Sequence, residues 1–329
     1  MKILIEGGKE RYNKLWPKDM DLSMFETYFF ERGTSNAEKL AAAKDAEIVF
    51  ADAISVVDRE LIENMPNLKM IHSEGVAFNS FDVKAASERG IFVCNNKACN
   101  AGAVAEQAVM LMLNVLRYGI IGDEMVRSGR QMAFKEERMF KGITELGDCK
   151  VGLIGFGDIA KETAKRLIPF GCKVYYNTPH RKDEKTEAQY GVTYMGREEL
   201  IKECDIISLH TAVTEETKNM VNDDFISKMK DGAYIINTAR GELTDNEALR
   251  RGIISGKLGG VGLDTIYPEP NTPDNPIIDL PEEYKYKAVF APHLGGITTS
   301  SFRRAHKNMW ENAVRIYNGE RPVNIVNGL

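Results

Sequence analysis

Three short segments in the second half of the chain combine charged or titratable side chains with glycine or proline. They are 237–241, 262–270 and 291–296, which carry Arg240, then Asp264 and Glu269, then His293. An arginine can hold a carboxylate through two hydrogen bonds, and a histidine exchanges protons near neutral pH. A neighbouring carboxylate would orient the histidine ring and favour its protonated form. These side-chain types fit proton transfer at a bound carboxylic acid.

Each of these residues also has a plain structural interpretation. Arg240 could pair with a surface carboxylate, Glu269 could be a solvated loop residue, and His293 could cap the following helix. All three segments, however, follow predicted strands. Because the carboxyl ends of parallel strands meet at one edge of a sheet, the segments converge there, which favours the catalytic interpretation.

The elements that must position these residues are predicted from short apolar runs alternating with helical stretches, a pattern typical of parallel βαβ units. In the first hundred residues we predict strands at 2–6, 48–51, 70–73 and 91–94, and helices at 36–44, 58–64 and 81–89. In the second series we predict strands at 151–154, 174–176, 206–209, 233–237, 260–263 and 289–291. Long helices are predicted at 101–118 and 299–317, and the segment 323–326 could return to the first domain.

A glycine-rich turn, Gly155-Phe-Gly157-Asp-Ile-Ala160, lies between the strand at 151–154 and a helical stretch at 161–170. Such a turn leaves backbone N–H groups at a helix N-terminus free to bind a pyrophosphate. The motif alone is weak, since glycines also close ordinary tight turns. The strand before it and the helix after it favour dinucleotide binding. A nicotinamide at the same sheet edge would couple hydride transfer to the proton transfer.

Composition narrows the function classes. The 329 residues suffice for two domains, and a formal charge of −5 argues against a nucleic-acid partner. No apolar run is long enough to cross a membrane. Five scattered cysteines without metal-ligand spacing predict a cytoplasmic protein with reduced thiols and no metal, with Cys172 and Cys204 in the core. We predict structural roles for His72 and His210, and a solvated or interface position for His306.

Taken in order, the motifs resemble the D-isomer-specific 2-hydroxyacid dehydrogenases over nearly the whole chain. The segments that carry the resemblance are Gly102-Ala-Val-Ala-Glu106-Gln107, 151–159, 208–217, 229–241, 264–270 and Pro292-His293-Leu-Gly-Gly296. The family implies an α/β protein with two doubly wound parallel-sheet domains. A Rossmann NAD(P)-binding domain, 101–296, would be inserted in a flavodoxin-like substrate domain, 1–100 and 297–329. It also implies a homodimer, as does the long apolar helix at 101–118.

The resemblance further implies hydride transfer between the nicotinamide and C2 of a small 2-hydroxy acid. Arg240 would hold the substrate carboxylate and carbonyl, and His293 would be the general acid–base, assisted by Glu269. Asp264 would contact the nicotinamide amide, and the backbone N–H groups of Val76 and Ala77 would bind the substrate carboxylate. The implied cofactor contacts are Gly155, Gly157, Asp158, Ile159, Asn177, Thr178, Arg181, Ala212, Thr217, Thr238, Ala239, Asp264, Gly295 and Gly296.

The sequence departs from the family pattern at three places. Asn177 stands where many NAD-using members carry an acidic residue, and His180-Arg181-Lys182 follow, which slightly favours NADP(H) over NAD(H). The alternative is a solvated loop, because Asp183 and Glu184 balance that charge. The segment 51–56 lacks the arginines of phosphoglycerate dehydrogenases, which favours an unphosphorylated acid such as glyoxylate, hydroxypyruvate or a short branched acid. Gln107 replaces a common histidine, and we assign it no role.

Two other functions remain open at this point. A dinucleotide-sensing corepressor of the same fold would retain the catalytic trio, so the trio does not exclude it. A phosphoglycerate dehydrogenase would differ in the substrate domain, where the arginines are lacking. The absence of a disordered tail beyond the domains counts against the corepressor.

Overall fold

A computed structural model describes residues 1–52 and 54–329, which divide into two compact units. The first joins Met1–Asn100 to Ile297–Leu329, and the second comprises Ala101–Gly296. Ala53, part of the arginine-free segment 51–56, lies outside the described residues. Each unit is built on a parallel sheet.

The described residues of the first unit form a five-stranded parallel sheet in the order β2-β1-β3-β4-β5. Its strands are β1 (Lys2–Glu6), β2 (Glu26–Phe30), β3 (Ile48–Ala51), β4 (Met70–Ser73) and β5 (Phe92–Cys94). Its helices are α1 (Lys9–Leu15), α2 (Asn36–Ala43), α3 (Arg59–Glu63), α4 (Val83–Glu88) and α13 (Thr299–Tyr317). This strand order is that of flavodoxin-like doubly wound sheets. The segment at 323–326 returns to β5, where Val326 N–H donates to the Val93 carbonyl.

The second unit contains a seven-stranded parallel sheet in the order β12-β11-β10-β9-β6-β7-β8, counted over described residues. Its strands are β6 (Lys150–Ile154), β7 (Lys173–Asn177), β8 (Val192–Tyr194), β9 (Ile206–Leu209), β10 (Ala233–Asn237), β11 (Leu258–Leu263) and β12 (Ala288–Phe290). Its α-helices are α5 (Ala101–Arg117), α6 (Gly119–Arg127), α7 (Gln131–Lys141), α8 (Asp158–Phe170), α9 (Glu184–Tyr190), α10 (Arg197–Glu203), α11 (Asp223–Lys228) and α12 (Asn246–Ser255), and its 3-10 helices are Leu146–Asp148, Gly241–Leu243 and Glu282–Lys287. Read from β8, the order is that of a dinucleotide-binding sheet with one strand added at the far edge.

Burial follows the apolar runs of the sequence. In the first unit Ile3, Leu4 and Ile5 of β1 are fully buried, because helices cover both faces of a parallel sheet. In the second unit α5 contributes Leu111 and Met112 to the core between β6 and α8. The predicted α/β class with two parallel sheets is confirmed.

Two strands and one histidine differ from the sequence predictions. Strands β2 and β8 were not predicted, and both lie at an edge of their sheet. The prediction of a solvated or interface position for His306 is wrong, because its side chain is fully buried within the first unit. Polar residues are spread along helix α13 around His306. The sequence pattern therefore does not reveal that Glu74 pairs with this histidine in the interior of the unit.

The remaining global features concern thiols and helix length. All five cysteines are free and buried, and burial raises the pKa of Cys172 to about 11 and that of Cys204 to about 12. In the described part of the chain no single helix is long and apolar enough to cross a membrane; only the pair α5 and α6, joined across a 55° bend, meets that test of length and composition. No group of three or more His, Cys, Asp or Glu side chains among the described residues could hold a metal ion.

Candidate active site

The glycine-rich turn has the geometry that a phosphate cradle requires. Gly155 has a φ of 95°, and a Cβ there would lie 2.3 Å from the His210 carbonyl oxygen, so only glycine fits. Among the described residues no atom lies within 4 Å of the Cβ position of Gly157, which is the N-cap of α8. Because Gly157 has no side chain to cap the helix, the first N–H groups, from Asp158 and Ile159, stay available to an anion.

Arg240 lies in a turn that a buried asparagine organises. Asn237, the last residue of β10, is fully buried. Its amide oxygen accepts from Ala239 N–H at 3.0 Å, and its amide nitrogen donates to the Arg240 carbonyl at 2.8 Å. The Arg240 side chain is exposed, and within the described residues it forms no ion pair. Its guanidinium therefore retains donors for a carboxylate.

Asp264 follows β11 and is buried, with 3% of its surface exposed. Its Oδ1 accepts from Leu294 N–H at 3.0 Å and from Gln107 Nε2 at 3.1 Å, and its Oδ2 accepts from Gly295 N–H at 2.9 Å. A carboxylate offers about four acceptor sites. Three are used by the chain itself, which leaves one for the nicotinamide amide that the resemblance implies.

His293 and Glu269 form the pair that the sequence suggested. The His293 Nδ1 lies 2.9 Å from Glu269 Oε2, and the two side chains are 47% and 44% exposed. In the described residues the other ring nitrogen, Nε2, has no hydrogen-bond partner. Helix α13 is capped by the side chain of Thr298. His293 therefore does not cap this helix, and Glu269, although exposed as the structural interpretation expects, also pairs with His293.

The residues predicted to face the adenine ribose are already engaged with the chain. Asn177 ends β7, and its Nδ2 donates to the Met195 carbonyl at 2.9 Å. Arg181 donates to both carboxylate oxygens of Glu187 at 2.9 Å, and this contact raises the pKa of the guanidinium. Thr178 is half-buried beside them. An incoming phosphate would have to share Arg181 with Glu187.

Four further predicted cofactor residues lie at the carboxyl ends of β9 and β10. Thr217 Oγ1 donates to the Ala212 carbonyl at 2.7 Å, which closes the loop after β9. Thr238 and Ala239 follow β10 directly, and the buried Thr238 hydroxyl has no partner among the described residues. An unpaired buried hydroxyl is costly unless a ligand or water meets it.

Comparison with known proteins assigns this arrangement to a family. Residues 109–295 match the sequence model of the D-isomer specific 2-hydroxyacid dehydrogenase NAD binding domain. A glyoxylate reductase from Thermococcus litoralis is 36% identical over 275 residues, covering 82% of this chain and 80% of that protein. A hydroxypyruvate reductase from Thermotoga maritima is 36% identical over 81% of this chain and 83% of its own length.

The chain belongs to the D-isomer specific 2-hydroxyacid dehydrogenase family. It is therefore a nicotinamide-dependent oxidoreductase that transfers a hydride to or from C2 of a small 2-hydroxy acid. The fold agrees over both units: the NAD-complexed D-isomer specific 2-hydroxyacid dehydrogenase of Lactobacillus delbrueckii ssp. bulgaricus superposes with a TM-score of 0.82 at 26% identity, covering 99% of this chain and 100% of that one.

The first unit of this dehydrogenase holds the predicted carboxylate loop in a defined shape. Asn96 Nδ2 donates to the carbonyls of Ser73 and Glu74 at 3.0 Å, and Asn95 Nδ2 donates to the Val76 carbonyl at 2.7 Å. The Ser73 hydroxyl donates to the Ala77 carbonyl at 2.6 Å. In the described residues the N–H groups of Val76 and Ala77 have no partner. With these carbonyls fixed on the chain, the two N–H groups remain available as donors, as the resemblance implies.

Two other histidines of the dehydrogenase, His72 and His210, have structural roles. Burial lowers the pKa of His72 to about 4, and its Nδ1 contacts the Ser73 carbonyl at 2.8 Å. Burial also lowers the pKa of His210 to about 4, beside the Ser208 hydroxyl. Both histidines are thus neutral at pH 7, in agreement with the structural roles predicted for them.

Sequence reasoning missed the residues that support the reactive ones. Asn237 fixes the Arg240 turn, Asn95 and Asn96 fix the carboxylate loop, and Gln107 contacts Asp264. The only signal in the sequence was the departure at Gln107 from the histidine common in relatives. A contact across 157 residues of chain leaves no local pattern.

Proposed function

We propose that this dehydrogenase reduces a small unphosphorylated 2-oxo acid, glyoxylate or hydroxypyruvate, to the D-2-hydroxy acid, with His293 as general acid–base. The observation that carries the proposal is the His293–Glu269 contact. Because Glu269 occupies Nδ1 at 2.9 Å, the ring is oriented with Nε2 left for a substrate oxygen. An acid–base pair with one open nitrogen is what proton exchange with a substrate hydroxyl needs.

The reaction follows from these positions. A bound reduced nicotinamide supplies the hydride that adds to C2. As the carbonyl π bond breaks, His293 Nε2–H donates its proton to the oxygen, so the product is a neutral hydroxyl and the ring is left neutral. The Glu269 carboxylate keeps Nδ1 engaged and so fixes the direction of Nε2. In the oxidative direction the same nitrogen accepts the hydroxyl proton.

The substrate carboxylate is anchored by a cation and two amides. Arg240 offers two parallel N–H donors and has no acidic partner in the described residues, which suits bidentate binding. The N–H groups of Val76 and Ala77 are the second anchor in this proposal. Each anchor can donate to a carboxylate oxygen, and the Arg240 guanidinium also neutralises the charge of that carboxylate.

The preference for an unphosphorylated acid rests on the segment after β3. Asp52 there is buried and accepts from Arg32 at 2.6 Å and from Ser55 N–H at 2.8 Å. Burial acts to raise the pKa of Asp52, but these hydrogen bonds hold it below the usual value. The Asp52 carboxylate is thus already paired, and the segment 51–56 itself carries no cation that could bind a phosphate. The relatives reported above are reductases of glyoxylate and hydroxypyruvate, which gives the corepressor and phosphoglycerate alternatives no support.

Initial rates test this proposal. We expect oxidation of the reduced cofactor with glyoxylate or hydroxypyruvate, and at least about a hundredfold lower kcat/KM with a phosphorylated analogue, since a phosphate bound without a cationic partner costs about 3 kcal/mol or more. Equal rates with the phosphorylated acid would contradict the assigned substrate class. No turnover with any 2-oxo acid, despite cofactor binding, would contradict the choice of substrate altogether.

For the cofactor we propose a slight preference for NADP(H). Asn177 places a neutral amide where a carboxylate would repel the 2′-phosphate, and Arg181 offers charge that Glu187 now shares. Asn177→Asp tests this preference. We expect kcat/KM with NADPH to fall about tenfold, because the new carboxylate repels the 2′-phosphate, whereas kcat/KM with NADH should not fall. If wild-type rates are higher with NADH, the preference is wrong and the reaction class stands.

We also propose a cytoplasmic homodimer. Helices α6 and α7 expose a series of large apolar side chains, which is unusual for a free surface. They are Ile120, Val126, Met132, Met139 and Phe140, the last 93% exposed. Light scattering at micromolar concentration should give twice the monomer mass, and Phe140→Asp should lower it. The cytoplasmic assignment rests on the five reduced cysteines.

A further inference from the structure

The backbone at His293 is in a conformation that needs external support. Its φ is 55°, in the left-handed region that non-glycine residues rarely adopt. Three successive N–H groups bind one residue: His293 N–H donates to the Asp264 carbonyl at 2.9 Å, and Leu294 and Gly295 donate to its carboxylate. The turn that carries the imidazole is thus fastened to Asp264.

Asp264 is in turn fixed from α5. Gln107 Nε2 donates to its Oδ1 at 3.1 Å. Packing around this contact is tight, because a Cβ on Gly295 would lie 2.8 Å from Asp264 Oδ2 and 3.3 Å from Gln107 Cβ. A rotation of the carboxylate would therefore displace the two amides that follow His293.

We propose that Gln107 is a positioning residue for His293, acting through Asp264. The Gln107 amide fixes the Asp264 carboxylate, and this carboxylate fixes the turn that carries His293. The imidazole ring therefore keeps Nδ1 on Glu269 and leaves Nε2 open. The proposal rests on the proposed function, because it assumes that His293 transfers the proton. Gln107 touches no reacting atom, and it matters for the rate only through the orientation of the ring.

A neutral amide suits this position. The titratable and charged groups around the contact are Asp264 itself, the pair His293 and Glu269, and on α5 the neighbouring Glu106, which pairs with Arg166 of α8 at 3.2 Å. Since glutamine does not titrate, its hydrogen bond is the same at every working pH. A carboxyl group in its place would donate only when protonated, and two carboxylates at this distance would share a proton.

Two substitutions of similar size test the proposal. Gln107→Met removes the donor, and we expect kcat to fall about tenfold, which corresponds to roughly one lost hydrogen bond to a charged group. Gln107→Glu should approach the wild-type kcat at low pH and fall as the shared proton is lost. That would add to the pH profile an ionisation that the wild type lacks. A merely structural role would lower Tm and leave the profile unchanged.

A readout independent of turnover accompanies the rates. Hydrogen exchange of the peptide spanning 291–296 should be faster in Gln107→Met, because its amides lose a fixed acceptor, while the peptide spanning 155–160 exchanges as in the wild type. Unchanged exchange at 291–296, or a wild-type pH profile for Gln107→Glu, would overturn the proposal.

His293→Gln in the same assays separates the two proposals. If the wild type turns over a 2-oxo acid, His293→Gln is inactive and both Gln107 variants match the wild type, only the positioning role fails. If His293→Gln keeps the wild-type rate, or the wild type has none, the proposed function fails first.

Discussion

Both units have charged side chains at or just after the ends of their parallel strands. In the first unit these side chains are paired with one another, whereas in the second unit some of them keep free donors or acceptors. In the first unit Glu6 and Lys39 pair at 2.6 Å, each 3% exposed. Glu74 there binds both Arg11 and the fully buried His306, at 2.5 and 2.7 Å. The carboxylates of Glu6 and Glu74 are thus buried and already paired within the first unit.

In the second unit the corresponding edge leaves its groups open. Arg240 is exposed without an acidic partner in the described residues, and His293 keeps one ring nitrogen free. Charge after a strand is therefore no evidence of function by itself. What distinguishes a reactive group is an unused donor or acceptor together with a neighbour that fixes its direction. His306 and His293 are both paired with a glutamate, and only the second can reach a ligand.

The largest expected effect concerns the open edge. His293→Gln should lower kcat by about 10²- to 10⁴-fold, the usual contribution of a general acid–base, while Tm and cofactor affinity stay near wild type because the side chain is half exposed. Steady-state rates with glyoxylate and cofactor titration by fluorescence measure both. His180→Gln, an exposed histidine of the same unit, is the control and should keep its rate with NADH. Full turnover by His293→Gln would remove the contrast between the two edges.

The enclosed edge should respond in stability. Lys39→Met leaves Glu6 as an unpaired buried carboxylate, which should lower the free energy of unfolding by about 3–5 kcal/mol. Urea unfolding measures the change. The matched control is Lys2→Met. The Lys2–Asp45 pair is 35% and 48% exposed, so its loss should lower the free energy of unfolding far less. Equal effects of the two substitutions would mean that burial is not what sets the enclosed charges apart.

The sequence predicted the interior of each sheet better than its margins. Strands such as Ile48–Ala51 and Ile206–Leu209 are buried on both faces, so they read as unbroken apolar runs. Glu26–Phe30 and Val192–Tyr194 pair on one side only and are partly exposed, so their runs are mixed with polar residues. These two edge strands leave a weaker pattern than the central ones and were missed, whereas the edge strands β5 and β12 were predicted.

The reactive residues were predictable for a similar reason, and their supports were not. Arg240, Glu269 and His293 lie next to strand ends, so a local pattern identifies them as candidates. Gln107 contacts Asp264 only after the chain has folded. The buried position of His306 likewise depends on its contact with Glu74, 232 residues away in the sequence. The spacing of residues in the sequence indicates which side chains lie at the carboxyl ends of the strands. Tertiary packing determines which of these side chains keep an unused donor or acceptor.

The smallest expected effect is the acid sensitivity of the enclosed first unit. Burial lowers the pKa of His72 to about 4, against 6.5 for an unhindered histidine, so between these values the unfolded chain binds a proton that the folded chain does not. Stability contributed by His72 is therefore complete above pH 6.5 and is lost as the pH falls toward 4. The loss approaches about 3 kcal/mol.

Urea unfolding at pH 7 and at about pH 5.5 measures the upper part of this dependence, above the range in which most carboxylates titrate. His72→Gln cannot take up the proton, so its free energy of unfolding should fall less between the two pH values than that of the wild type. The fully exposed His180 gives the matched substitution, and His180→Gln should keep the wild-type dependence. If His72→Gln and the wild type lose equal stability, His72 is protonated without cost in the fold, and the enclosed edge is more accessible to water than its burial indicates.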